Sequence, residues 1–360
     1  MTEVRVGPVV DVAALMARWR DLEVQGGGSV FQSWTWTGCL MAERFTDPVL
    51  VEATEAGRTV ALALFNRVRG GFGQPDLLYL GESGDPARDC PYIEHNGVLT
   101  EPGRQAELTE ACLDAVARSH VLVLSGVGEI VLAAVNRVAA AVWVGKTSDG
   151  PFVDLAAVRD SGGNYMTGLS ANTREQIRRS DRFYAARGTI TTRAAGSVAE
   201  AHDMLARMEV LHQATWTARG RPGSFAVPFF GKFHHALIDA GFSRGEVTLI
   251  EVESGGETIG ILYNLRDAGG IRAYQSGFVY EPGTARAKPG LTCHHAAIRL
   301  ALEQGAGRYD FLAGDDRYKR SLATGSTRQY WLEAGPAWSP RMLRHRLGQT
   351  RLAQTLNRPR

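Results

Sequence analysis

Several features are scarce in this 360-residue chain, and each scarcity removes a class of protein. Cysteine occurs four times (Cys39, Cys90, Cys112, Cys293), far apart and never as a CxxC pair. That spacing excludes a disulfide scaffold and a thiolate zinc site, and it predicts free thiols in a reducing cytoplasm. No apolar run approaches the ~20 residues that a transmembrane helix needs. The N-terminus has no basic stretch leading into an apolar core and a small-residue cleavage site, so no signal peptide is expected. Neither sign of charge dominates: 40 basic against 38 acidic residues leaves +2, too little for a protein that coats nucleic acid. HExxH, carboxylate clusters, GxSxG, a Walker loop and a GxGxxG after a strand are all missing. Their absence removes serine hydrolases, P-loop enzymes and dinucleotide enzymes, and no metal is expected. His294 and His295 are adjacent, so on a helix they point about 100° apart and cannot chelate one ion together.

What remains is ordinary for a globular enzyme, with 44% hydrophobic and 22% charged residues. At about 100–200 residues per domain the length predicts two domains. They are placed at 1–150 and 151–335, followed by a basic helix or tail, 336–360, with six arginines and no acid. That tail suits either a packed helix or an RNA contact.

Periodicity predicts helices at 12–23, 29–41 and 107–119, and strands at 48–53, 59–66, 77–80 and 120–124, with Glu55-Ala56-Gly57-Arg58 as a hairpin turn. The second half opens with a strand at 152–155 and a helix at 170–187, where Asn172 and Glu175 form a capping box and Gly188 the stop. Helices at 198–217, 229–240 and 291–304 and strands at 189–192, 246–252, 258–265, 271–279, 309–312 and 330–332 complete it. Both halves run through a helical start, a hairpin, a further strand, a helix and a strand. This duplicated order predicts an α/β fold, a mixed sheet with helices on both faces.

The chemistry concentrates in 308–322, RYDFLAGDDRYKRSL, where a short alternating strand runs into Gly314 and a crowd of opposite charges. A lysine, a phenol and carboxylates at a strand's end suit the mouth of a cleft better than a core. Lys319 is a candidate to stabilise an oxyanion or hold a phosphate; the duller alternative is a surface lysine paired with Asp315 or Asp316. Asp310, Asp315 and Asp316 are candidates for the proton transfer that an attacking amine requires, with Asp310 alternatively a structural acid capping a turn. Tyr274 and Gln275 lie on the strand before the crossover helix, Tyr274 with a core role as the alternative. Trp216, Arg219 and Arg221 (WTARGRPG) put two guanidiniums and an aromatic in a glycine-rich loop, a pattern suited to a phosphate or carboxylate. Arg174, Arg178 and Arg182 form a basic stripe that more commonly marks a solvated helix face.

Four stretches, NTREQIRRSDR, WTARGRPGSF, YQSGFVYEPGTARAKPGL and YDFLAGDDRYKRSLA, carry a family likeness. The chain resembles GNAT-superfamily acyltransferases of the branch that holds CelD-like acetyltransferases and the Fem peptidoglycan aminoacyl ligases, which have two GNAT domains in tandem. The likeness spans 152–332, and the first half by architecture and the Gln32-Ser33-Trp34 opening. It implies two tandem GNAT-like domains in a cytoplasmic, bacterial-type transferase with no tightly bound cofactor. It also implies that Tyr318-Lys319 matches the aromatic–lysine pair found at the active site of Fem-like ligases. Ordinary GNAT enzymes bind the acyl-CoA pyrophosphate on a glycine-spaced loop at a helix N-terminus, where free amides face the anion. The equivalent residues, Arg286, Lys288 and Gly290, keep two cations and one glycine of that loop. The co-substrate is therefore acyl-CoA or aminoacyl-tRNA, the latter favoured because Fem-like ligases lack that loop too. The acceptor is the amine of a small molecule or peptide. A non-enzymatic GNAT-derived ligand-binding scaffold is the alternative.

Overall fold

The computed structural model describes residues 2–25, 28–281, 283–284, 286–314 and 316–356. It contains two compact units, Met1–Thr147 with Arg328–Arg360, and Ser148–Thr327. No helix among the described residues is long and apolar enough to cross a membrane, and none of the four cysteines is in a disulfide.

The first unit begins with β1 (Glu3–Pro8), α1 (Val12–Val24) and α2 (Trp34–Arg44). Asp11 caps α1 through the amide of Ala14, and Leu15, Trp19 and Leu22 form its buried stripe. The hairpin of β2 (Pro48–Glu55) and β3 (Arg58–Val68) turns at Ala56 and Gly57, both at positive φ, as a two-residue turn matched to strand twist requires. Then come β4 (Leu77–Leu80), β5 (Leu99–Thr100), α3 (Gln105–Ala117), β6 (Val121–Val127), α4 (Glu129–Val138) and β7 (Ala141–Asp154). β4 and β6 pair in parallel from Leu77 to Leu80 and then part. The gap between them is filled by the chain itself: Asn96 Nδ2 donates to Leu80 O (2.9 Å) and Ser125 O (3.1 Å). Gly126, at φ 63°, admits this segment, since a Cβ there would stand 2.2 Å from the carbonyl oxygen of Ile93.

The second unit holds α5 (Leu155–Asp160), α6 (Ala171–Ala185), β8 (Ile190–Ala194), α7 (Val198–Ala218), α8 (Pro228–Gly241) and the antiparallel strands β9 (Val247–Ser254), β10 (Glu257–Asp267) and β11 (Gly270–Phe278). The crossover helix α9 (Pro289–Glu303) leads to β12 (Arg308–Asp310), which pairs parallel to β11 and antiparallel to the end of β7. The short α10 (Arg317–Leu322), β13 (Gly325–Gly335) and α11 (Pro340–Leu356) follow. Alternation along β10 separates two layers. Leu262 packs in the core that takes Ile298 and Ala301 of α9, and Tyr263 points to His234 of α8.

Two expectations are corrected, and a third is narrowed. α6 is capped by Ser170, whose hydroxyl accepts from the amide of Thr173, so the predicted Asn172 box lies inside the helix. The second domain was expected to run to 335, yet residues 328–335 group with the first unit, because β13 pairs there with β6 from Tyr330 to Ala334. The basic tail is helical from Pro340. Its start is pinned within the first unit, where Arg341 makes two 2.6 Å bonds to Glu333 and His345 lies flat on Trp143.

Candidate active site

The candidate site lies within the second unit, where β12 ends. Asp310, fully buried, closes the strand: Oδ2 accepts from Arg272 Nη1 at 3.1 Å and Oδ1 from the Leu312 amide at 2.8 Å. Arg272 is also held twice by Asp267. Of the two roles weighed from sequence, this geometry supports the structural acid that caps a turn.

That turn is unusual. Leu312 is buried and sits at φ 61°, a left-handed conformation that costs a side-chain-bearing residue about 1–2 kcal/mol. The consequence is that successive carbonyls point to one side: Lys319 Nζ donates to Ala313 O at 3.0 Å and Leu312 O at 3.4 Å. Gly314 follows at φ 144°, and a Cβ on it would come 3.0 Å from the same Nζ. Lys319 is thus held by a preformed cradle, with its side chain 13% exposed. The carboxylate of Asp316 lies 3.9 Å away and is mostly in solvent, so the predicted surface pair exists only as a long contact. Asp315 lies outside the described residues.

Tyr318, beside Lys319 on α10, is 37% exposed overall. Crowding around its hydroxyl pushes the phenol pKa up, helped by the negative charge of Asp316 and by Tyr280, while Arg219 opposes. The effect of Arg219 brings the end of α7 into the same neighbourhood. There Arg219 and Arg221 lie 5.7 and 6.0 Å from the Trp216 ring, over its face, and both arginines are exposed. His212, one turn back, holds this loop to β11 by contacts to Ser276 O (3.2 Å) and the Ser224 amide (3.4 Å).

β11 carries a bulge at Tyr274: Tyr263 pairs with Gln275 and Asn264 with Ala273, leaving Tyr274 unmatched. Tyr274 packs into the buried cluster of Phe230, His234 and Tyr263, the core position. Gln275, half-buried, donates to Ser224 Oγ at 3.3 Å and so joins the strand to the loop after α7.

The start of α9 lies against α6. The Lys288 amide donates to Ser180 Oγ (3.1 Å), and Lys288 Nζ donates to Gln176 at 2.7 Å. Burial lowers the Lys288 pKa, and Arg179 and Arg317 add to the lowering by their like charges. Arg179 of α6 and Arg317 of α10 are thus close enough for their charge to be felt at Lys288, just before α9, a grouping that linear spacing does not reveal. Arg286 is exposed, and Gly290 lies beside the Phe278 ring. In the basic stripe, Arg174 is tied to Leu169 O and Arg182 to Glu175. Among the described residues no group of three or more metal-ligating side chains comes together. Sequence reasoning passed over His294 as anything but a metal ligand; it lies under Tyr318 with its rings 5.6 Å apart and nearly parallel.

Comparison with known proteins is consistent with this architecture. Residues 171–320 match the family model of the acetyltransferase (GNAT) domain. No curated protein matches the chain. Among solved structures, FemX superposes with a TM-score of 0.58 at 10% identity, covering 96% of this chain and 99% of that one. L-PGS from Bacillus licheniformis gives 0.54 at 14%, covering 95% and 98%. A conserved protein of unknown function from Bacteroides thetaiotaomicron gives 0.52 at 10%, covering 92% and 99%. At such identities these likenesses show a shared fold. The chain thus shares its fold with FemX over nearly its whole length, and its residues 171–320 match an acetyltransferase (GNAT) domain.

Proposed function

We propose that the second domain transfers an acyl or aminoacyl group from a carrier to the amine of a small molecule or peptide by direct attack. The observation that carries this reading is Lys319, cradled on the carbonyls of Leu312 and Ala313 at the end of β12, inside the matched acetyltransferase domain. Attack forms a C–N bond and breaks the C–S bond of a thioester or the C–O bond of an aminoacyl ester. The amine's proton passes, directly or through water, to the departing sulfur or oxygen. Lys319 stabilises the carbonyl oxygen as it gains charge. Asp316, 3.9 Å from Lys319, is a candidate for receiving the amine's proton, with Asp315 beside it in sequence. Tyr318, kept protonated by its surroundings, is suited to giving a proton to the leaving group. Arg219 and Arg221 suit an anionic group on a substrate, with Trp216 and Gln275 shaping that wall.

Aminoacyl-tRNA is the favoured donor. One of the first amides of α9 is already spent on Ser180, and the cations Arg179, Lys288 and Arg317, with Arg286 nearby in the chain, suit a polyanion bound by side chains. A cytoplasmic location accords with the unbridged thiols and with either carrier.

The test is titration of the purified protein with acetyl-CoA and, separately, with a charged tRNA pool at fixed salt, followed by transfer assays on wild type and Lys319→Met. Transfer from tRNA that falls about 10²–10³-fold in the variant supports the reading. Transfer from acetyl-CoA alone moves the donor. Binding without turnover favours a ligand-binding scaffold instead.

A further inference from the structure

His294 occupies the floor beneath the site and is left chemically incomplete. It is 2% exposed, and its Nδ1 lies 3.0 Å from the hydroxyl of Tyr309, which is itself fully buried. Its Nε2 has no hydrogen-bond partner among the described residues. The tautomer follows from counting donors. If the phenol donates to Nδ1, both groups are satisfied and the ring hydrogen sits on Nε2. The opposite arrangement strands the phenolic hydrogen as well as Nε2. A buried N–H left over in this way calls for a cause, and a catalytic role or an ordered water supplies one.

The surroundings point to the catalytic role. Edges of Phe278 and Phe311 pack on the imidazole at 5.9 and 5.3 Å, and the partly exposed ring of Tyr318 covers it. Burial, with the nearby charge of Lys319, drops the pKa of His294 to about 3. The group is therefore a neutral donor at any working pH, in a dry place beside a fixed cation. Such a place suits a carbonyl oxygen that gains negative charge and repels an ammonium.

We propose that His294 donates its Nε2–H to the carbonyl oxygen of the acyl group, sharing that oxygen's charge with Lys319. The inference rests on the acyl-transfer reading above and adds a catalytic residue to it.

Two variants and one spectrum test it. His294→Phe keeps a ring among Phe278, Phe311 and Tyr318 and removes the donor; His294→Gln places an amide N–H near the position of Nε2. With whichever carrier the wild type accepts, the expected result is a fall in kcat of about 10²-fold for Phe, with KM little changed, and recovery to within about tenfold for Gln. In 15N-histidine spectra of the wild-type protein, His294 is expected as the neutral Nε2–H tautomer from pH 5 to 8. Undiminished kcat in folded His294→Phe, or a hydrogen on Nδ1, overturns this proposal and leaves acyl transfer standing. If the Phe variant does not fold, a Gln variant as slow as Lys319→Met overturns it equally. A wild type with no transfer from any carrier overturns acyl transfer and this proposal together.

Discussion

Replacing Asp310 separates a structural acid from a catalytic one. Its two oxygens hold Arg272 at 3.1 Å and the Leu312 amide at 2.8 Å. In Asp310→Ala the charge-assisted bond is lost, about 1.5–3 kcal/mol, and the Leu312 N–H is stranded, about 1–3 kcal/mol. Arg272 is not stranded, because Asp267 bonds it twice, so the total belongs near the lower end of the about 3–5 kcal/mol seen when a buried pair is broken. Asp310→Asn keeps an oxygen for Leu312 but turns its amide NH2, a donor, toward Arg272, so that bond is lost along with the charge, for a cost of about 1.5–3 kcal/mol. Urea unfolding is best followed by far-UV circular dichroism. Six of the seven tryptophans lie in the first unit, and only Trp216 reports on the second. Amide exchange at Leu312 gives a local readout: it is expected to speed up strongly in the Ala variant and little in the Asn variant. Transfer per folded molecule is expected to stay within about threefold of wild type for Asn. A fully stable Asn variant that has lost 10²-fold or more in kcat would refute the reasoning and return Asp310 to the role of base.

Two further predictions concern stability. His234 is fully buried with a pKa near 3, as is His294, so the unfolded chain takes up more protons as pH falls below 6.5. Stability is then expected to fall by up to about 1.4 kcal/mol per pH unit for each imidazole. Glu251, held near 2 chiefly by its bonds to Arg207, adds a second loss between pH 4.5 and 2. Urea midpoints at pH 7.5, 6 and 5 check the sign, and unchanged midpoints refute it. In the first unit, Gly126→Ala places a methyl 2.2 Å from Ile93 O at a positive φ. It is expected to destabilise by more than about 3 kcal/mol, read by tryptophan fluorescence; a loss under about 1 kcal/mol would show that the 93–96 segment moves aside freely.

The elements that sequence made legible were those with clean periodicity between punctuating residues. The hairpin at Ala56-Gly57 and the helix α7 are examples. Those it hid carry mixed signals. β7 runs through Gly-Lys-Thr-Ser-Asp-Gly with an exposed middle, so no alternation marks it, and α4 (EIVLAAVNRV) is a short apolar run that fits a strand as well as a helix. At the site, Lys319 and Tyr318 were legible because chemistry and turn signals coincide in one stretch. The face taken by Asp310 was not, since three residues of strand leave alternation undetermined until Arg272 is seen across the sheet. The grouping of Arg179, Lys288 and Arg317, and the pairing of His294 with Tyr309, join residues from separate elements and exist only once the chain is folded.

The Asn96 crosspiece has a consequence for the gap between β4 and β6. One amide nitrogen ties the ends of β4 and β6 together, and a glycine in left-handed geometry lets the crossing backbone through. Loosening the side chain leaves the backbone in place, and displacing the backbone leaves two carbonyls without their shared donor. Substituting Asn96 alone therefore leaves backbone in that gap, and reopening it also requires the 93–96 segment to move.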